Sequence, residues 1–157
     1  RLVRGIRFRQ EISSRRPIMS VVNPSSRIIF HVDDEPLTRR LVKAILEESG
    51  YTVFSYEEPE PMFATLLTTS PTAILLDVNM PKISGYDLCK QIRAKHPEMQ
   101  VPIIFLTGNK TPEDLQLARS SGGDYFVIKP FSPDSLVDGI SKAFQMVART
   151  RKKATEN

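Results

Sequence analysis

The 157-residue sequence has one cysteine, no tryptophan and no long apolar run. The single cysteine, Cys89, excludes a disulfide framework and suits a reducing compartment. No apolar run approaches the roughly 20 residues of a membrane span, so we expect no membrane association and a cytoplasmic location. Hydrophobic residues make up 40% and charged residues 25%, a composition typical of one globular domain.

The net charge of +4 is unevenly placed along the chain. Basic residues are concentrated in residues 1–24 and from Arg149 onward, so the central part of the chain is acidic. An acidic body with basic ends argues against direct nucleic-acid binding by the domain itself. We therefore predict a basic N-terminal extension at 1–25, a folded domain at 26–148 and a basic tail or linker stub at 149–157.

The N-terminal extension begins with Arg1 rather than methionine, which indicates a processed chain, a fragment or an artefact of preparation. Its Arg-rich, acid-poor composition also fits a targeting segment. We expect this extension to be disordered or foreign to the domain. We expect the tail at 149–157 to be frayed, because it carries no apolar period.

Five apolar runs alternate with helical segments along the folded part. The runs are IIFHV (28–32), YTVFS (51–55), TAILL (72–76), VPIIFL (101–106) and YFVI (125–128). Three of them are continuously apolar, which is typical of parallel strands covered on both faces. Helices are predicted to start near Pro36, Glu58, Gly85, Pro112 and Pro133. This alternation predicts an α/β fold with an open, doubly wound parallel sheet.

Polar side chains follow four of the five predicted strands. Asp33 and Asp34 follow the first strand, Asp77 the third, Thr107 the fourth and Lys129 the fifth. Ligand sites in doubly wound sheets lie at the carboxyl ends of the strands. The pattern therefore predicts that three carboxylates, a hydroxyl and an ammonium meet at one edge of the sheet.

The chemistry of these groups favours a hard cation and a phosphoryl group. Clustered carboxylates raise one another's pKa unless cations are near, and an oxygen-only ligand set favours Mg²⁺ over zinc. A carboxylate can attack phosphorus, and Asp77 is central, so it is the predicted nucleophile. Asp34, helped by Asp33 through water, would hold Mg²⁺. Lys129 and Thr107 would bind phosphoryl oxygens.

Four segments together resemble the receiver domain of two-component response regulators, including chemotaxis regulators. They are DDEP (33–36), DVNMPKISGYDL (77–88), LTG (106–108) and DYFVIKPF (124–131). The resemblance covers about residues 26–148. It implies a flavodoxin-like fold, in which a five-stranded parallel sheet of order 2-1-3-4-5 is flanked by five helices.

The resemblance also implies a function for the acidic residues. Asp77 would accept a phosphoryl group from a phosphohistidine on a histidine kinase or a histidine phosphotransfer protein. Mg²⁺ would be held by Asp34, Asp77 and the backbone carbonyl of Asn79, with Asp33 as a helper. The protein would be a signalling switch that catalyses its own phosphorylation and dephosphorylation, rather than an enzyme with a separate substrate.

Other residues match the switching parts of the family. Thr107 falls on the switch hydroxyl and Phe126 on the switch aromatic, which is more usually tyrosine. Lys129 matches the family lysine, whose bond to the following proline is often cis. Asn79 and Asn109 stand where the family tunes dephosphorylation. The face made by the fourth helix, fifth strand and fifth helix would contact an unknown output domain or target, or form a homodimer.

Several alternatives remain open from the residues alone. Asp33 or Asp34 could merely cap a helix, and His31 is expected to be a packed core histidine, His96 a solvated one. A phosphatase of the haloacid-dehalogenase type would need a second acid at Asn79. No glycine-rich nucleotide loop is present. The main competing hypothesis is a degenerate receiver that acts as an unphosphorylated interaction module.

Overall fold

The computed structural model describes residues 27–156, so the predicted N-terminal extension at 1–25 lies outside the described residues. Within them, the strands are β1 Ile28–Val32, β2 Thr52–Tyr56, β3 Ala73–Asp77, β4 Ile103–Thr107 and β5 Tyr125–Ile128. The helices are α1 Pro36–Glu48, α2 Pro59–Leu66, α3 Gly85–Lys95, α4 Pro112–Ser120 and α5 Pro133–Thr155. The strand order is β2-β1-β3-β4-β5, which confirms the predicted fold.

All neighbouring strands are parallel, and their register aligns the carboxyl ends. Val32 pairs with Leu76 across β1 and β3, and Asp77 pairs with Leu106 across β3 and β4. Thr107 pairs with Ile128, the residue before Lys129. The groups that follow β1, β3, β4 and β5 therefore emerge at the same edge of the sheet.

The hydrophobic core lies in two layers, one on each face of the sheet. Successive strand residues point to opposite faces, so Ile29 and Val53 pack beneath α1 and α5, while Phe30 and Ile74 pack towards α2 and α3. Every residue of β3 and of β4 is buried. This two-sided burial explains why their sequences are continuously apolar rather than alternating.

The helix starts follow the sequence signals, but α1 buries a narrower face than its apolar pattern predicts. Proline stands in the first turn of α1, α4 and α5, where no backbone donor is needed. In α1 the buried residues are Val42, Ile45 and Leu46, whereas Leu37 is 69% exposed and Leu41 50% exposed. The apolar period of α1 therefore extends beyond the face that the sheet buries.

The C-terminal helix α5 continues to Thr155, beyond the predicted end of the folded domain at 148. The guanidinium of Arg151 donates to the carbonyl of Gln100 at 2.7 Å, and the hydroxyl of Thr150 donates to Met146. These bonds explain why residues predicted to fray are helical. None of the helices within residues 27–156 combines the length and apolar character needed to cross a bilayer.

Candidate functional site

Three carboxylates converge at the carboxyl edge of the sheet. Asp33 and Asp34 lie between β1 and α1, and Asp77 is the last residue of β3. One oxygen atom from each residue lies within 4.8 Å of the others. Asp33 and Asp77 are buried and Asp34 is half-buried. The structure thus brings together three acids that are far apart in the sequence.

Lys129 completes this cluster from the carboxyl end of β5. Its Nζ donates to Oδ1 of Asp77 at 2.7 Å and lies 3.4 Å from Oδ2 of Asp33. Its backbone amide donates to the carbonyl of Thr107 at 2.7 Å, which extends the ladder between β4 and β5. The Lys129–Pro130 peptide bond is cis, as the resemblance implied.

The local environment shifts the pKa values of the two buried acids in opposite directions. Burial raises the pKa of Asp77 above its usual range, against the lowering effect of the Lys129 ammonium. Burial also acts on Asp33, but the nearby His31, the Glu35 amide and Lys129 together lower its pKa. The pKa of Lys129 is raised by Asp77 and Asp33 although burial opposes this shift. Asp33 is therefore the more firmly ionised of the two carboxylates.

The cluster has the composition of a site for a hard divalent cation. Three carboxylates face one ammonium, so negative charge is in excess at a half-buried position. All of the grouped ligands are oxygen atoms, which suits Mg²⁺ better than a softer metal. Oδ1 of Asp33 already accepts a hydrogen bond from the Glu35 amide at 2.9 Å, which leaves Asp34 and Asp77 freer to bind a cation directly.

Thr107 lies at the edge, but its hydroxyl is engaged with the loop that follows β4. Its Oγ1 accepts a hydrogen bond from the Asn109 amide at 3.1 Å and donates to the Asn109 carbonyl at 3.3 Å. The side chains of Asn79 and Asn109 are exposed. Thr107 and Asn109 therefore stand beside the acids without contacting them in this conformation.

Phe126 lies behind Thr107 on β5. Its ring is half-buried, and the ammonium of Lys110 sits 5.7 Å from the ring centre. Thr107 and Phe126 both line a cavity of about 10 Å³, which has no room for an aromatic ring. Movement of Phe126 into this space would require Thr107 to leave it.

Three residues that shape the site were not predicted to do so from the sequence. A Cβ on Gly85 would lie 2.3 Å from the backbone oxygen of Asp77, so only glycine allows α3 to begin this close to β3. Arg39 donates to the backbone carbonyl of Asp33 at 2.7 Å. His31 is buried as predicted, but its Nε2 lies 3.6 Å from Oδ2 of Asp33. Of these three residues, only Gly85 carried a signal in the sequence, because a glycine stands at a predicted helix start.

His96 also differs from the prediction. Its side chain is 20% exposed, and its ring stacks on Phe63 with the centroids 6.4 Å apart. The residue is thus a packing residue at the end of α3 rather than a solvated one.

A cleft of about 330 Å³ opens beside the acids and leads to solvent. Asp34 lines it from β1, and an ion pair between Lys82 and Glu58 lines it from the loops before α3 and α2. This cleft exposes Asp34, the half-buried member of the acid cluster, to an incoming reactant.

Comparisons with known proteins agree with this geometry. Residues 29–141 match the response regulator receiver domain family. The chain is 34% identical over 105 residues to the transcriptional regulatory protein CreB of Escherichia coli (67% of this chain, 45% of the relative). It is 37% identical over 105 residues to the alkaline phosphatase synthesis transcriptional regulatory protein PhoP of Bacillus subtilis (67% of this chain, 43% of the relative).

A solved structure shares the fold almost along its whole length. The Vibrio cholerae chemotaxis protein CheY4 superimposes with a TM-score of 0.71 at 27% identity, covering 75% of this chain and 98% of that one. The chain spans under half the length of CreB and of PhoP, so it corresponds to one part of those regulators. Because the family match covers most of the chain and the acids lie where β1 and β3 end, the chain belongs to the response regulator receiver domain family.

Proposed function

We propose that this chain is a cytoplasmic phosphorelay switch in which Asp77 accepts a phosphoryl group from a phosphohistidine. The donor would be a histidine kinase or a histidine phosphotransfer protein. The observation that carries the proposal is the placement of the Asp77 carboxylate between two further acids and the Lys129 ammonium, with one of those acids, Asp34, lining an open cleft. The protein is a signalling switch that promotes its own modification.

The transfer needs positioning and charge neutralisation more than acid–base chemistry. A carboxylate oxygen of Asp77 forms a bond to phosphorus while the bond from phosphorus to the donor imidazole nitrogen breaks. The imidazole leaves with the bonding electrons and takes a proton from solvent. Lys129, already 2.7 Å from Asp77, moves its charge to an incoming phosphoryl oxygen.

We assign the metal to Asp34, Asp77 and the backbone carbonyl of Asn79, with Asp33 acting through water. When bound, Mg²⁺ supplies positive charge that offsets the carboxylates and the phosphoryl oxygens. Asp33 is held by the Glu35 amide and by Lys129, which supports its role as a helper rather than a direct ligand.

The switch would act through Thr107 and Phe126. A phosphoryl group on Asp77 offers Thr107 a charged acceptor, so its hydroxyl leaves the Asn109 backbone and turns inward. The vacated space then admits the Phe126 ring, and the face formed by α4, β5 and α5 changes. A partner, an output domain or a second copy of the chain would bind this face. Asn79 and Asn109 would tune the approach of hydrolytic water.

A degenerate receiver that is never phosphorylated is the second candidate, and one experiment separates the two. The protein is incubated with acetyl phosphate and Mg²⁺, and its intact mass is measured. We expect one labile phosphoryl adduct that requires Mg²⁺ and disappears in Asp77→Asn. An unmodified wild-type protein, in a preparation that binds Mg²⁺, would support the degenerate receiver instead.

A further inference from the structure

Buried polar atoms without partners lie on the neighbouring strands β1 and β2, next to the candidate site. Among residues 27–156, the buried side-chain atoms lacking a hydrogen bond are both ring nitrogens of His31, Oγ of Ser55 and the hydroxyl of Tyr56. His31 and Ser55 are register partners on the adjacent strands β1 and β2. An unsatisfied buried polar group costs about 1–3 kcal/mol, so neighbouring ones call for an explanation.

The two residues point to the same layer of the core. His31 lies two residues after Ile29, and Ser55 lies two residues after Val53; Ile29 and Val53 both belong to the layer beneath α1 and α5. Adjacent strands are about 4.8 Å apart, which puts the Ser55 hydroxyl within reach of the imidazole. The ring of His31 is fully buried, so it has to find its partners inside the protein.

The other end of the imidazole faces the acid cluster. Nε2 of His31 lies 3.6 Å from Oδ2 of Asp33, and the same oxygen lies 3.4 Å from Nζ of Lys129. The remaining oxygen of Asp33 is held by the Glu35 amide. Closing the imidazole–carboxylate contact to an ordinary hydrogen bond requires a movement of about 0.6 Å.

One arrangement of hydrogen bonds satisfies the imidazole of His31, the carboxylate of Asp33 and the hydroxyl of Ser55. The ring of His31 is fully buried, and a neutral ring, the form that burial favours, has one donor and one acceptor nitrogen. An ionised carboxylate can only accept, which assigns the proton to Nε2, the nitrogen nearest Asp33. Nδ1 is then an acceptor, and the Ser55 hydroxyl is a donor on the adjacent strand.

We propose that His31 is a positioning residue: it donates from Nε2 to Asp33 and accepts at Nδ1 from the Ser55 hydroxyl, which fixes the orientation of the Asp33 carboxylate. This inference rests on the proposed function, because Asp33 matters as a helper in metal binding. By occupying Oδ2 of Asp33, the chain of hydrogen bonds also leaves Lys129 with Asp77, the nearer of its two partners.

The ring itself can be observed directly. Long-range proton–nitrogen NMR spectra of ¹⁵N-labelled wild-type protein at neutral pH should show a neutral His31 with the proton on Nε2. In Ser55→Ala the Nδ1 resonance should move to that of an acceptor without a hydrogen bond, while Nε2 stays protonated. A proton on Nδ1, or a ring unaffected by Ser55→Ala, would overturn the proposal. Neither metal nor phosphoryl donor is needed.

Metal binding supplies a second readout, which a packing role alone would not change. Mg²⁺ is titrated into wild type, His31→Leu and His31→Gln, and the dissociation constant is followed by amide chemical shifts. Loss of one hydrogen bond to a charged group should weaken Mg²⁺ binding by on the order of fivefold in His31→Leu. His31→Gln, which keeps an amide donor, should return to within about twofold of wild type.

Stability should fall together with affinity. His31→Leu removes both proposed hydrogen bonds and leaves the Ser55 hydroxyl without a partner, so it should unfold at a lower urea concentration than wild type, whereas a histidine that only packs in the core would change stability without affecting Mg²⁺. Equal Mg²⁺ affinity in wild type and His31→Leu would refute the positioning role while phosphorylation of Asp77 continued. Failure of wild type to take up phosphate on Asp77 would instead refute the proposed function.

Discussion

Each of the two edges of the sheet holds an acid beside a cation, buried at the carboxyl edge and half-buried at the amino edge, and the two pairs serve different ends. At the carboxyl edge, Asp77 accepts a hydrogen bond from Lys129 at 2.7 Å. At the amino edge, Asp124 accepts from Arg93 at 2.9 Å and from the Ile103 amide at 2.8 Å. Burial raises the pKa of both acids, so neither burial nor an ion pair alone distinguishes a functional site.

The difference lies in the balance of charge and in what the cation binds. Arg93 also donates to the carbonyls of Gly122 and Met99, so it joins α3 to the loops that precede β5 and β4. The Arg93–Asp124 pair has one charge of each sign, and the guanidinium donors of Arg93 are engaged within the protein. Lys129 instead faces Asp33 and Asp77 with Asp34 alongside, which leaves negative charge for a ligand to neutralise. Excess charge at an open cleft, rather than a buried pair, indicates function.

The largest expected contrast is between the two matched amide substitutions. Asp77→Asn should abolish the phosphoryl adduct, because an amide oxygen is not a nucleophile toward phosphorus at neutral pH. Asp124→Asn should keep the adduct, since its side chain still accepts from Ile103. Intact mass after treatment with acetyl phosphate and Mg²⁺ measures both. An adduct that survives in Asp77→Asn would mean that the acceptor is another residue.

Mg²⁺ should stabilise the folded protein by binding at the carboxyl edge and not at the amino edge. A ligand that binds the folded state at a concentration 100 times its dissociation constant adds about 2.7 kcal/mol to the free energy of unfolding. Urea unfolding with and without Mg²⁺ should show this gain in wild type and in Asp124→Asn. Most of the gain should vanish in Asp34→Asn, which removes a candidate ligand. A gain of equal size in all three proteins would place the metal elsewhere.

Arg93→Met should damage stability without affecting the site. Removing one partner of a buried ion pair leaves the other charge uncompensated; here the side chains of Arg93 and Asp124 are 25% and 24% exposed, so we expect a loss of about 2 kcal/mol. Urea unfolding measures the loss. The phosphoryl adduct and the Mg²⁺ affinity should remain as in wild type, and a fall in either would show that the two edges are coupled.

The smallest expected effect is a change in how readily the amino edge opens locally. Alkylation of the buried Cys89 thiol measures this opening. Burial raises the pKa of its thiol to about 11, so at pH 8 almost no thiolate forms in the folded protein. The unfolded thiol ionises at a lower pH than the folded one, and stability from this group is therefore lost as the pH rises from 9 towards 11. Alkylation at pH 8 should be slow in wild type and faster in Arg93→Met.

Much of the fold could be predicted because its signals are local. Continuous apolar runs such as that of β3 predict parallel strands, and prolines such as Pro112 predict helix starts. The extent of burial could not be predicted in the same way. Leu37 and Leu41 continue the apolar pattern of α1 but face solvent, because the sheet covers only part of the helix surface. The C-terminal end of α5 is held by a hydrogen bond to Gln100, which no local pattern encodes.

The amino-acid sequence by itself determined the order of the elements and which acids stand at the strand ends, because periodicity and turn residues act over a few neighbours. The tertiary structure alone decided that Lys129 binds Asp77 more closely than Asp33, that α3 requires Gly85 to approach β3, and that His31 borders the site. These facts depend on register and distance between segments far apart in the chain, which only the packed sheet establishes.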